Sequence, residues 1–146
     1  MIIYKDYRHA IPIQIRFSDI DRLHHVNNAC YHNYVELGRV TYFEKVLAGH
    51  TNWAEKGFIL ARTEMDHLQQ VYLHDEIWCL TRVHRLGNKS IGIRNSIVRK
   101  EGDTLTECAA VDGVLVAMDY IKNQSVAVPQ KWRDLIAAFE GPVLRP

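Results

Sequence analysis

Nowhere in the sequence is there an unbroken apolar run of the roughly eighteen residues that a membrane-spanning helix needs. The first fifteen residues, MIIYKDYRHAIPIQI, also lack the continuous apolar core of a secretion signal, so an intracellular, soluble protein is expected. Charge of one sign is missing too. Eighteen Lys and Arg face seventeen Asp and Glu, a net charge of +1, and no run of like charge suits a phosphate backbone, which argues against a nucleic-acid partner. Cysteine is sparse: Cys30, Cys79 and Cys108 are odd in number, far apart and free of any CxxC pair. That is the usage of reduced thiols in a cytoplasm. The eight histidines give no metal-ligand spacing, since neither His24, His25 and His32 nor His67 and His74 fall one helical turn apart. No metal is expected. The nucleophile elbow GxSxG is absent as well.

What is present is one domain's worth of chain. Its 146 residues, 47% hydrophobic, can bury a core without disulfides or a structural metal, and no linker, repeat or low-complexity segment divides them; residues 1–146 are taken as a single domain. Residues 11–19 alternate Ile11, Ile13, Ile15 and Phe17 with polar or small neighbours, the period of a half-buried strand. From Asn28 to about Leu47 the period lengthens. Tyr31, Tyr34, Val35, Gly38, Tyr42 and Val46 recur at three- and four-residue steps, predicting an amphipathic helix that stops before Gly49, with Asn27 or Asn28 as N-cap. Thr51–Lys56 suggests one helical turn. Strand-like runs then cover 58–72, 76–86, 89–100 and 104–120, separated by His74-Asp75, Gly87-Asn88 and Glu101-Gly102-Asp103, so an antiparallel meander is expected. The last run, apolar at both parities around Val111–Met118, should be central. After a turn at Lys122–Gln124, Pro129 opens a helix over 130–139 that ends before Gly141. The class is α+β, one long helix against one antiparallel sheet, with an edge left for a second copy.

The chemistry concentrates between Arg16 and Arg39, RFSDIDRLHHVNNACYHNYVELGR. A strand delivers Asp19 and Asp21, and a His- and Asn-rich loop leads straight into the long helix. A helix N-terminus offers unpaired N–H groups and the positive end of the macrodipole, which suits negative charge developing on a carbonyl oxygen. The Asn28 N–H is the candidate oxyanion donor, and Asp21 the candidate general base or nucleophile. Thioesters suit such a minimal site. Their thiolate leaves without strong acid assistance, so no Ser-His-Asp triad is required.

The run DxDxxxHVNNxxYxxYxExxR from Asp19 to Arg39, with a Gly-Asn-Lys-Ser turn at 87–90, resembles the 4-hydroxybenzoyl-CoA thioesterase-like branch of the hotdog superfamily, which includes long-chain acyl-CoA thioesterases. The resemblance implies a hotdog fold, a long helix wrapped by an antiparallel sheet, and a homodimer or homotetramer with active sites at subunit interfaces. It implies Asp21 as the catalytic carboxylate, Asn28 as the polarising amide, and His25 and Asn27 as residues that shape the loop or contact the thioester. His24 departs from the Gly that many members carry there, and is expected to narrow the pocket or alter the loop. No cofactor is implied, because coenzyme A is part of the substrate.

Other assignments compete at several positions. Asp19 is expected to fix the turn. Glu36 is the rival carboxylate, with an ion pair to Arg39 or packing as its ordinary alternative. Cys30 sits where a dipole can lower a thiol pKa, but a small buried residue is the commoner use. Tyr31 and Tyr34 are expected in the core or along an acyl tunnel. Trp78 and Trp132 read as packing residues. Lys89 and Ser90 are candidates for coenzyme A phosphates or pantetheine, or an ordinary exposed turn. The expected activity is acyl-coenzyme A hydrolysis; the alternatives are an acyl-carrier-protein thioesterase and a non-catalytic acyl-thioester-binding protein.

Overall fold

The computed structural model describes residues 2–143. Strands β1 (His9–Ile13), β2 (Lys56–His67), β3 (Glu76–Leu86), β4 (Ser90–Glu101), β5 (Thr104–Asp119) and β6 (Gln124–Ser125) form one antiparallel sheet; helices α1 (Cys30–Val46) and α2 (Gln130–Glu140) complete the chain. The main path across the sheet is β1-β3-β4-β5-β2, with β6 beside the end of β5. Strand β5 is therefore central, as its apolar run predicts, although only alternate residues are fully buried and Val114, Val116 and Met118 are half-buried on the other face. Along the described residues β2 is an edge, with β5 on one side and no strand on the other.

Helix α1 lies across the sheet and buries the set its periodicity predicts: Tyr31, Tyr34, Val35, Gly38, Tyr42 and Val46, with Phe43 added. Gly38 lets the helix approach closely, because a Cβ there would lie 2.6 Å from the Cys79 Sγ and 2.8 Å from the Thr81 Oγ1. Beneath it Asn95 Nδ2 donates to Thr81 Oγ1 at 2.8 Å, so the polar pair buried there is satisfied. The helix is less one-sided than expected, since Leu37 and Val40 face outward at 49% and 46% exposure.

Two apolar clusters lie under α1. Val26, Tyr31, Tyr34, Val35, Ile77 and Ile97 pack at its N-terminal end, while Tyr42, Phe43, Leu47, Ile91, Trp132 and Ile136 pack at its C-terminal end, where α2 closes the core. Trp132 is a packing residue, as expected, and its indole donates to the His50 carbonyl. Glu140, the last residue of α2, accepts the Tyr42 hydroxyl at 2.7 Å and the Val83 N–H at 2.8 Å, where β3 is irregular between Val83 and Arg85.

Three boundaries differ from the sequence expectation. The first strand begins earlier and ends at Ile13 instead of Asp19: the Asp19 carboxylate accepts the Arg16 N–H, drawing Phe17–Asp19 into a 3-10 turn and leaving Phe17 at 84% exposure. Strand β2 stops at His67, not residue 72, because the Leu68 and Gln69 N–H groups both turn onto the Cys108 carbonyl. Over 51–56 the expected helical turn reduces to a turn organised by Asn52, whose carbonyl accepts the Glu55 and Lys56 N–H groups.

Candidate active site

The loop between β1 and α1 is a tight hairpin built around Asp21. Ile20 and Val26 form an antiparallel bridge, the Asp21 N–H donates to the His25 carbonyl at 3.0 Å, and the His24 N–H returns to the Asp21 carbonyl at 3.0 Å. His24 takes φ 67° at the tip, the left-handed region that favours glycine. Glycine would adopt this backbone without strain, which gives a physical sense to the Gly that the family resemblance leads one to expect there. The side chain is exposed and its departure shows in the backbone of the turn.

Asp19 and Asp21, two residues apart, have different surroundings, and Asp19 fixes the turn as expected. Asp19 is buried at 1% exposure, and its Oδ2 accepts the Tyr34 hydroxyl at 2.7 Å while Oδ1 meets the Arg16 guanidinium at 2.9 Å. Burial pushes its carboxyl up, but the Tyr34 hydroxyl and the Arg16 N–H and guanidinium outweigh it and hold Asp19 below the usual carboxylate range. It anchors the loop to α1. Asp21 retains a partly exposed carboxylate: Oδ1 accepts the Leu23 N–H at 2.8 Å, and Oδ2 stands 4.0 Å from His25 Nδ1.

The start of α1 holds an unpaired donor. Asn27 is not the N-cap; its Oδ1 accepts the Ala29 N–H at 2.9 Å in a turn before the helix, and its carbonyl accepts the Cys30 N–H. Among the described residues the Asn28 N–H finds no acceptor. Asn28 lines a groove of about 260 Å³ together with His25, Tyr31, His67 and Gln69. Asp21 does not line it directly and borders it through His25. The sequence brings His67 forward only among residues without metal-ligand spacing; its place on the helix-facing parity of β2, edge-on to the Tyr31 ring at 4.9 Å, is the signal that puts it here.

The remaining candidates lie elsewhere. The Cys30 thiol is pushed up by burial and by Asp19, the reverse of nucleophilic activation. Glu36 makes no ion pair with Arg39 within 4.0 Å and lines a different groove of about 330 Å³, farther along α1, with Phe43, Trp53 and Phe58. Lys89 and Ser90 belong to the tight turn into β4, next to the cluster at the C-terminal end of α1, so a single chain does not bring them to Asn28. The Ser90 hydroxyl accepts from Arg85 at 3.4 Å, and Arg133 donates to the Gly87 and Asn88 carbonyls, holding the turn. No three His, Cys, Asp or Glu side chains converge as a metal site among the described residues, and no described helix is long and apolar enough to cross a membrane.

The family model described as the thioesterase-like superfamily matches residues 15–138, which includes the hairpin, α1 and strands β2 to β6. The chain belongs to that superfamily. Its fold is the hotdog fold. A Thermus thermophilus thioesterase solved with coenzyme A and zinc is 30% identical, with a TM-score of 0.80, over 95% of this chain and 99% of that one. The PA5185 protein of Pseudomonas aeruginosa is 27% identical, with a TM-score of 0.80 over 96% of each chain. A 4-hydroxybenzoyl CoA thioesterase mutant complexed with 4-hydroxybenzoyl CoA shares the fold, at 19% identity and a TM-score of 0.79 over 87% of this chain and 96% of that one. The uncharacterized protein YsmA of Bacillus subtilis is 25% identical over 84% of this chain and 78% of its own length. Within the superfamily, the unpaired amide at the helix start and the carboxylate hairpin beside it give this chain the parts that acyl transfer needs.

Proposed function

We propose that this chain hydrolyses acyl-coenzyme A thioesters, with Asp21 as the catalytic carboxylate and the Asn28 N–H as the oxyanion donor. The observation that carries the reading is the free Asn28 N–H at the head of α1, in a groove bordered by the Asp21–His25 hairpin. The thioester carbonyl oxygen accepts from Asn28. Asp21 takes a proton from water as its oxygen attacks the carbonyl carbon; the tetrahedral oxyanion collapses, the C–S bond breaks, and the thiolate takes the proton back. In the covalent alternative Asp21 attacks the carbonyl carbon, the C–S bond breaks to release the thiolate and leave a mixed anhydride, and water then hydrolyses the anhydride to the acid and the free carboxylate. His25 and Asn27 hold the loop.

The working unit on this reading is at least a homodimer formed along the open edge of β2. The thermophilic relative's coenzyme A complex supports that carrier over acyl-carrier protein. Lys89 and Ser90 serve coenzyme A only from a second copy.

Asp21→Asn is expected to lower kcat about 10³-fold in a thiol-release assay on acyl-coenzyme A, with the oligomer intact by sedimentation. Unchanged kcat would remove Asp21 from the mechanism. Binding without turnover in the wild type would make the protein a thioester-binding module, and turnover confined to acyl-carrier-protein thioesters would change the carrier.

A further inference from the structure

Asp19 is the junction of the loop before α1. Its N–H donates to the Arg16 carbonyl at 2.9 Å, its carbonyl accepts the Asn27 N–H at 2.8 Å, and its carboxylate gathers the Arg16 N–H, the Arg16 guanidinium and the Tyr34 hydroxyl. The bond to Asn27 closes the stem of the hairpin. Asp21 follows Asp19 by two residues and Asn28 follows Asn27 by one, so the carboxylate and the amide assigned to the reaction ride on the two arms of one stem.

What seats that stem on the long helix is narrow. Of the groups that meet the Asp19 carboxylate, only the Tyr34 hydroxyl belongs to α1; Arg16 approaches from the preceding chain, with its side chain 62% exposed. Tyr34 is itself fixed. Its ring is 5% exposed, packs with Val35 and Ile77, and lies 6.0 Å from the Tyr31 ring. A hydroxyl donating to an ionised carboxylate at 2.7 Å makes a charge-assisted bond, roughly twice as strong as a neutral one, and burial shields it from salt. The Cys30 thiol, 3.8 Å from the Asp19 carbonyl, is a weaker second tie. Neither Tyr34 nor Asp19 lines the groove that holds Asn28.

Resting on the thioesterase activity proposed above, we infer that Tyr34 is a positioning residue: its hydroxyl, acting through Asp19, sets the Asp21 carboxylate against the Asn28 N–H without touching the substrate. A displacement of about 1 Å between reacting groups costs on the order of 10²-fold in rate. Substrate binding does not register it, because the groove walls stay where they are. The tie therefore acts on kcat and leaves KM alone.

Tyr34→Phe removes one oxygen and keeps the ring, so it isolates the tie. In the thiol-release assay kcat should fall about tenfold to a hundredfold, with KM within about twofold of wild type. Unchanged kcat, or a change confined to KM, overturns the inference. Asp19→Asn keeps an acceptor for Tyr34 but not its charge, and should give a smaller loss of kcat at the same KM; a change confined to KM there overturns it as well. Placed in the Asp21→Asn chain, Tyr34→Phe should change turnover by less than about twofold, since the group it positions is gone, and fully additive losses would show that Tyr34 acts by another route. Arg16→Gln, which keeps the backbone N–H on Asp19 and removes the guanidinium, should hold kcat within about threefold. A loss as large as that of Tyr34→Phe would assign the effect to charge around Asp19 and overturn the tie to α1. Amide hydrogen exchange reads the same tie without turnover. The Asn27 N–H, bonded to the Asp19 carbonyl, should exchange about tenfold faster in Tyr34→Phe, while the Val26 N–H, bonded to the Val71 carbonyl, keeps its rate. If the wild type releases no thiol, the thioesterase reading has failed on its own, and exchange at Asn27 then decides the tie: faster exchange upholds it and an unchanged rate overturns it.

Discussion

His24 occupies a left-handed backbone conformation, φ 67°, at the tip of the turn that opens at Asp21. An L-residue held there loses about 1–2 kcal/mol to the clash of Cβ with the backbone, and glycine escapes that cost at the expense of a looser unfolded chain. His24→Gly is therefore expected to raise stability by up to about 1 kcal/mol, read as a higher denaturant midpoint with the slope unchanged. A fall in the midpoint would show that the imidazole contributes something to the turn beyond its backbone. The unequal fates of the two aspartates belong to the same scale. Asp19 spends its oxygens on Tyr34 and Arg16, whereas Asp21 Oδ2 is left with only a distant His25.

Among elements, the long helix and its seat on the sheet govern the rest. Gly38 is the point of closest approach, and Gly38→Ala should cost about 1–3 kcal/mol, because the new methyl must displace the Cys79 Sγ and Thr81 Oγ1. Adding Cys79→Ala should recover part of that loss in the same denaturation experiment; full additivity of the two changes would place the strain elsewhere. The helix was legible because its buried positions keep a helical period from Tyr31 to Val46, and the meander because each turn carries Gly, Asn or Asp. The 3-10 turn at Phe17–Asp19 was not. Ile15 and Phe17 continue the strand alternation, and the Asp19 carboxylate overrides it by accepting the Arg16 N–H three residues back and the Tyr34 hydroxyl fifteen residues on. Likewise DxD and HVNN located the hairpin, but no local pattern tells that Glu36 and Lys89 face other regions of the molecule. That depends on where the strands carry them.

For the molecule as a whole, acid tolerance is set partly by a residue remote from the chemistry. His9 is 4% exposed, edge-on to Tyr42 at 5.6 Å, with no partner for Nδ1. Burial, with Lys45 adding to it, pulls its pKa down to about 4 from 6.5. The folded protein thus holds His9 neutral while the unfolded chain protonates near 6.5, so its contribution is complete above that pH and is lost as pH falls toward 4. Stability measured by denaturant titration should decline across that window, and His9→Phe should flatten the decline; an identical slope in both proteins would clear His9 of the effect.

The bond from Glu140 to the Val83 N–H joins the last residue of α2 to the middle of the sheet, fifty-seven residues earlier. A chain growing from its N-terminus has made every strand before that carboxylate exists. Until α2 is synthesised and released from the ribosome, the Val83 amide lacks its acceptor and the sites of Trp132 and Ile136 stand empty. The nascent chain thus keeps the cluster at the C-terminal end of α1 open on the side that α2 covers, and that side closes only when α2 docks.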